Sequence, residues 1–247
     1  MAQLVIVTGA AGGMGSAIVR QLLDDGYDVA AVDINRAGLD ELRRALGTSR
    51  KRLHVFTADL TDEAAVADLF RHVADIPGQL VGLVNNAGTC LMSEFPQIPG
   101  EELDQQMAIN FSSAFFCCQQ AIPLLLEADG VKKIVNISSN GAYNFDVFDP
   151  PHYRASKAAL DTLTKDIARR YAADRIVVNS IAPAMTETPL FGVLDDETLA
   201  AAIAQMPHGE PMRPEQIAAW VGFLFAPAGD IASGNVIVLN QGRDVRS

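Results

Sequence analysis

The chain has 247 residues, 49% of them apolar and 20% charged, enough to bury a large core in the ordinary proportions of a soluble globular protein. Its net charge of −11 argues against nucleic acid or an anionic membrane as partner, because phosphate groups are bound by clustered Lys and Arg. Cys90, Cys117 and Cys118 form no CxxC pair or disulfide framework, and the four histidines have no metal-ligand spacing, so no metal is expected.

In chain order, the apolar run 4–7 reads as a strand. No basic region precedes it and it stops at Thr8-Gly9, too short for a signal peptide. No stretch approaches the roughly 20 apolar residues of a membrane span, so a reducing cytoplasm is the expected home. Thr8-Gly9-Ala10-Ala11-Gly12-Gly13-Met14-Gly15 then opens a helix over 14–23. Glycines there permit positive φ and let a pyrophosphate approach the backbone, where helix N-terminal amides bind it. The G-x-G-x-x-G fingerprint is not matched, because Ala11 takes the place of its second glycine, and a glycine turn without a nucleotide is the alternative. A second strand, 29–32, ends beside Asp33, whose carboxylate can accept both ribose hydroxyls and would repel a 2′-phosphate, favouring NAD over NADP. Arg36 complicates this inference by its closeness, and reads as a surface residue at the start of the helix 38–46. Strand 53–56 leads to Asp59, which either lies at an adenine ring or caps a turn, and Thr61 or Asp62 caps a helix over 63–73. Strand 81–84 runs into Asn85-Asn86-Ala87-Gly88, paired amides able to tie strand ends together, with a plain polar turn as the alternative.

A helical pattern over 103–126 carries Asn110 and the apolar cluster Phe111, Phe115, Phe116 and 124–126, which suits either the core or a subunit interface; Cys117 and Cys118 read as core. Strand 133–137 leads to Ser138-Ser139, and Tyr153 and Lys157 follow on a helix over 153–171. Their i, i+4 spacing puts phenol and ammonium on one face, where the cation favours phenolate and lowers the tyrosine pKa. Such a tyrosine can exchange a proton with a substrate oxygen. Strand 176–181, an irregular region with a short helical pattern at 196–205, a helix over 215–225 and strand 236–239 complete the chain. Continuous apolar strands alternating with helices predict an α/β fold, a doubly wound, Rossmann-like, seven-stranded parallel sheet flanked by helices on both faces. No linker or repeat divides it, so 1–247 reads as a single dinucleotide-binding domain, with 183–214 as a substrate lid.

Thr8-Gly9-x-x-x-Gly13-x-Gly15, Asp59, Asn85-Asn86-Ala87-Gly88, Asn110, Asn136-Ile137-Ser138-Ser139, Tyr153-x-x-x-Lys157 and Asn179-x-x-x-Pro183 together resemble the short-chain dehydrogenase/reductase family in its shorter form, over essentially the whole chain. The resemblance implies a catalytic tetrad of Asn110, Ser139, Tyr153 and Lys157. In it Tyr153 is the acid/base, Ser139 holds the substrate oxygen, Lys157 lowers the tyrosine pKa and binds the nicotinamide ribose, and Asn110 positions a relay water. It also implies NAD contacts from Gly9, Gly13, Met14, Gly15, Asp33, Asp59, Leu60, Asn86, Ala87, Gly88 and Pro183, with the Thr186 backbone at the carboxamide and Thr188 adding a hydroxyl. Ser138 competes with Ser139, but the Asn-Ile-x-Ser alignment selects Ser139. Ala184 stands where the family usually has glycine, and Asn240-Gln241-Gly242 replaces a common Asp-Gly-Gly, a change expected to affect subunit contacts more than chemistry. A homotetramer, or homodimer, is expected.

The implied activity is NAD(H)-dependent interconversion of a secondary alcohol and a ketone by hydride transfer, acting on a small molecule. A 3-oxoacyl thioester reductase and a non-catalytic nucleotide-binding regulator are the alternatives. The stretch 140–152 should line the substrate pocket: Tyr143, Phe145 or Phe148 packing an alkyl or ring body, Asp146 or Asp149 reading a hydroxyl or amine, or else these carboxylates are simply solvated. Phe95, Phe191 and Met206 are further pocket candidates. His152 is turned about 100° from Tyr153 on the helix and is left out of the chemistry.

Overall fold

A computed structural model describes residues 1–144, 149–189, 192 and 195–243 of the chain. Seven strands, β1 (Gln3–Thr8), β2 (Asp28–Asp33), β3 (Leu53–Thr57), β4 (Gln79–Asn85), β5 (Lys132–Ile137), β6 (Ile176–Pro183) and β7 (Val236–Leu239), form one sheet in the order β3-β2-β1-β4-β5-β6-β7, every pair parallel. Alternate residues of each strand feed opposite faces. Val5 and Val7 join one core layer with Ile18 and Leu22 of α1 (Gly13–Asp24), Leu39 and Leu42 of α2 (Arg36–Ala45), and Ile217 and Val221 from near the C-terminus. Leu4 and Ile6 join the other, with Val66 and Phe70 of α3 (Glu63–Ala74) and with Cys117, Cys118, Ala121 and Leu125. Each fully buried Val, Leu or Ile contributes about 1.5–3 kcal/mol, which is why the strands are apolar on both faces.

The predicted helix over 103–126 is interrupted. α4 (Gly100–Met107) widens into a π turn at Ala108–Ser112 before α5 (Ser113–Glu127) resumes. The extra residue of a π turn re-aims side chains, and here Asn110 points inward and is buried. Gly100–Glu127 as a whole is long and apolar enough to cross a membrane by length and composition, contrary to the expectation that no segment comes near it. In this fold one face of it is covered: α5 packs on β4 and α3 through Cys117, Ala121 and Leu125. Of the apolar cluster left between core and interface, Leu125 is buried while Phe115 and Leu126 face outward.

The remaining helices are α6 (Pro151–Arg170), α7 (Asp196–Ala204) and α8 (Pro214–Phe225). Local chemistry fixes their starts. Asp62 caps α3, accepting from Ala64 N at 2.8 Å, and Pro151 begins α6, where a missing N–H costs nothing. Asn35 caps α2, and Arg36 pairs with Asp40 one turn on (3.1 Å), so it is a surface helix residue.

Candidate active site

The strand order reverses between β1 and β4, which opens a crevice at their carboxyl ends. A cleft of about 880 Å³ lies there, lined by Gly9, Gly13, Met14 and Gly15, by Asn86, Ala87 and Gly88 opposite, and by Asp33, Asp59 and Leu60 at one end. Gly9 has φ +62° and packs so closely that a Cβ would lie 2.8 Å from Ala87 Cα; a Cβ on Gly15 would overlap the Gly9 carbonyl. Asn86 Nδ2 ties the loop down through the Thr8 and Gly9 carbonyls (both 3.0 Å). Asn85 Nδ2 donates to Asn136 Oδ1 (2.8 Å), and Asn136 Nδ2 donates to Thr164 Oγ1 of α6 (2.8 Å), so the paired asparagines do tie strand ends together.

The cleft suits a dinucleotide. The N-cap of α1 is Gly12, with no side-chain cap and no acid in the first turn, which leaves helix amides to receive a pyrophosphate. Asp33 is held at the end of β2 by Ala11 N (2.9 Å) and Asn35 N (2.8 Å). Asp59 both caps its turn, accepting from Thr61 N (2.9 Å) and Oγ1 (2.7 Å), and lines the cleft. Glu101 and Asp104 of α4 add two more carboxylates to the lining. Thr188 lines it too, against the open side of Gly13. Tyr153, Lys157, Pro183 and Thr186 do not line this cleft. Lys157 stands behind Gly88, its Nζ 3.1 Å from where a Gly88 Cβ would be, and Thr186 is buried in a bridge to Met212. Pro183 closes β6 opposite Leu239, and Ala184 simply extends that ladder, its N donating to Leu239 O at 2.8 Å.

The two serines after β5 face opposite ways. Ser138 Oγ donates to the Lys157 carbonyl (3.3 Å), whereas Ser139 Oγ accepts from Gly141 N (3.0 Å) and acts on the Tyr153 phenol, drawing its pKa down. This places Ser139, not Ser138, with Tyr153. Lys157 is buried and its Nζ donates to Ile137 O (2.9 Å). Asn110 approaches the same Cβ position of Gly88 as the ammonium, its Oδ1 3.2 Å from it, and its side chain is engaged by Thr89 N (2.8 Å), Thr89 O (2.9 Å) and Ser156 Oγ (3.0 Å).

The electrostatics correct one expectation. The Tyr153 pKa is raised, not lowered: burial pushes it up, the Asp149 carboxylate pushes it further, and the Ser139 hydrogen bond only partly opposes them. Burial weakens Lys157 as well, to about 8, with Asp161 and Cys90 acting the other way. Spacing on a helix cannot reveal desolvation, which is the largest influence on the phenol here. Tyr153 is therefore a protonated phenol at neutral pH, ready to donate.

Asp149 stands beside this pair. A Cβ on Gly141 would overlap its carboxylate and lie 3.2 Å from Ser139 Oγ, so Asp149 and Ser139 flank the same α-carbon. Cys90, its thiol pushed up to about 12 by burial and by Asp149, sits within the same electrostatic cluster. Other pocket candidates fall elsewhere. Tyr143 donates to Asp161 (2.7 Å), Met206 is buried in the core layer beneath α8, and Phe95 is 73% exposed. His152 is buried against Glu102 (3.1 Å), away from the phenol. Phe145, Asp146, Phe148 and Phe191 lie outside the described residues. Among the described residues no cluster of His, Cys, Asp and Glu is arranged to hold a metal ion.

Three residues in the supporting structure escape sequence reasoning. Gln106, one turn before Asn110, grips the same segment, bonding Leu91 N and Thr89 O (both 2.8 Å); a polar i, i+4 pair in an apolar helix was the available signal. Asp161 continues the Tyr153–Lys157 stripe by four residues and is 2% exposed. Gln241 holds a left-handed φ of +59° while its side chain binds His208 N (2.9 Å) and Glu210 O (3.1 Å), so the unusual Asn-Gln-Gly turn braces the segment before α8.

Residues 9–244 match the profile of a family described as enoyl-(acyl carrier protein) reductase. The chain is 34% identical to cis-4-hydroxycyclohexanecarboxylate dehydrogenase of Sinomonas cyclohexanicum, over 97% of this chain and 96% of that protein. It is 31% identical to D-threitol dehydrogenase of Mycolicibacterium smegmatis, over 99% and 94%. Among solved structures, an RhlG–NADP active-site complex from Pseudomonas aeruginosa superposes with a TM-score of 0.91 at 30% identity, covering 98% of this chain and 96% of that one. The chain belongs to the short-chain dehydrogenase/reductase family, oxidoreductases that bind a nicotinamide cofactor.

Proposed function

We propose that the protein is an NAD-dependent dehydrogenase that interconverts a secondary alcohol and its ketone, with Tyr153 as acid/base. The meeting of the Ser139 hydroxyl and the Tyr153 phenol behind a glycine-walled dinucleotide cleft carries this reading. Gly9, Gly13, Gly15 and the α1 amides would hold the pyrophosphate, Asp33 the adenosine ribose, and Thr188 the nicotinamide end. When bound, the nicotinamide supplies or accepts the hydride. Ser139 orients the substrate oxygen, Tyr153 gives it a proton or removes one, and Lys157 contributes a positive charge beside the developing alkoxide. The purified protein incubated with NAD and a panel of secondary alcohols should form NADH; cofactor binding without turnover of any alcohol or ketone would defeat the reading.

The preference for NAD rests on charge. Asp33, Asp59, Glu101 and Asp104 all line the cleft and oppose an additional phosphate. The RhlG complex holds NADP, which favours a second reading as an NADPH-dependent reductase of acyl or ketone substrates. Asp33→Ala should weaken NAD binding about tenfold and improve NADP binding, as measured by calorimetry. Tighter NADP than NAD binding by the unaltered protein would establish the second reading instead.

The relatives' named substrates, a hydroxycyclohexane carboxylate and a sugar alcohol, are both hydroxylated. Asp149 beside Ser139 suits a substrate with a second hydroxyl next to the reacting carbon. Comparing cyclohexanol with cyclohexane-1,2-diol, Asp149→Asn should reduce the diol preference in kcat/KM by about tenfold, the value of a hydrogen bond to a charged group. An unchanged ratio would remove Asp149 from specificity.

A further inference from the structure

We propose that Asp161 is a positioning residue of this active site, its buried carboxylate serving as the counter-ion that keeps Lys157 an ammonium and so sets the alkaline limit of activity. The inference rests on the dehydrogenase reading above. Asp161 lies four residues after Lys157 on α6, as Lys157 lies four after Tyr153, so the three share one helical stripe. Both charged groups are almost fully buried, Lys157 at 5% and Asp161 at 2% exposure. A buried carboxylate is expelled or neutralised unless it is paired and hydrogen-bonded. Asp161 receives two hydroxyls, Ser180 Oγ from β6 (2.5 Å) and Tyr143 Oη (2.7 Å). Such an all-donor surround is built for an acceptor-only anion, and an amide in its place would turn an N–H₂ toward one of the donors.

The other groups around Lys157 do not supply this charge. Its Nζ donates to the neutral Ile137 carbonyl, and Asn110 approaches from the π turn with a neutral amide. Cys90 faces it from the loop after β4, but as a thiol held protonated by burial. Tyr153 is a protonated phenol, and Asp149 bears on Tyr153 and Cys90 rather than on Lys157. Asp161 is the carboxylate one helical turn from the ammonium; burial raises its own pKa overall, while the Ser180 and Tyr143 hydroxyls and Lys157 act the other way. The two buried charges act on each other through space, with no direct ion pair between them.

The sign follows directly. Lys157 loses its proton at about 8 with Asp161 present. With Asp161 uncharged, the ammonium is less favoured and deprotonates at lower pH, so the alkaline fall of kcat/KM moves to lower pH by about one unit. The experiment is the pH profile of kcat/KM for the unaltered enzyme, Asp161→Asn and Ser180→Ala, the last removing a hydrogen bond from Asp161 while leaving its charge. The expected result is a shift of the alkaline limb in D161N and an unmoved limb in S180A, whatever its absolute rate. Should D161N not fold, Asp161→Ser removes the charge from a smaller side chain and must give the same shift. A limb that coincides with the unaltered enzyme's in the uncharged variants, or one that moves equally in S180A, overturns the proposal. Absence of turnover by the unaltered enzyme would instead defeat the dehydrogenase reading on which it rests.

Discussion

Tyr153→Phe is expected to lower kcat by about 10²- to 10⁴-fold, the usual contribution of a placed acid/base group, while the protein still binds its cofactor. The substitution keeps the ring and removes only the oxygen that meets Ser139, so packing and the cleft are preserved. The direction of catalysis should follow from the protonation state. Burial and Asp149 hold the phenol protonated, so ketone reduction starts from the form that already carries the proton to be given. Alcohol oxidation must first remove it, and its rate should rise with pH until Lys157 loses its charge near 8. Steady-state kinetics in both directions, with calorimetry for cofactor affinity, checks this. A phenylalanine variant retaining a tenth or more of kcat would show that another group moves the proton.

How far such a site is legible in sequence depends on the kind of force that makes it. The strand runs fall within two residues of the observed strands, because a sheet covered by helices on both faces must be apolar at every position. The glycine loop, Asp33 and the Asn85-Asn86 pair are equally legible, since backbone approach and strand-end ties depend on residue type at fixed spacing. Alternation along an extended chain says that only one of Ser138 and Ser139 can serve, and the Asn-Ile-x-Ser resemblance is what singles out Ser139. What spacing could not carry was dielectric. Tyr153 four residues before Lys157 suggests an acidic phenol, yet desolvation raises the phenol's pKa and lowers the ammonium's. Nor did distance along the chain reveal Asp161, whose partners at Ser180 and Tyr143 come together only in the folded protein. The π turn at Ala108–Ser112 escaped for a related reason: one extra residue within an apolar helix leaves its hydrophobic pattern almost unchanged.

Gly15→Ala should weaken cofactor binding and destabilise the fold together. Alanine is normally the better helix residue by about 1 kcal/mol, and Gly15 lies in the first turn of α1, so propensity alone predicts stabilisation. The packing term is larger and opposite. The new methyl would overlap the Gly9 carbonyl, and that oxygen cannot swing aside freely because Gly12 N (3.2 Å) and Asn86 Nδ2 (3.0 Å) both bond it. Moving it gives up about 1 kcal/mol for each bond, in addition to an overpacking cost of roughly 1–3 kcal/mol. A net loss of about 3 kcal/mol would lower Tm by roughly 6–12 °C in a chain of this size. The same displacement carries Gly9 and Asn86 away from the cleft wall, so NAD affinity should fall at least tenfold even well below Tm. Thermal unfolding with calorimetric titration separates the two effects. Unchanged affinity in a variant of lowered Tm would place the pyrophosphate away from this loop, and the dinucleotide assignment of the cleft would fail with it.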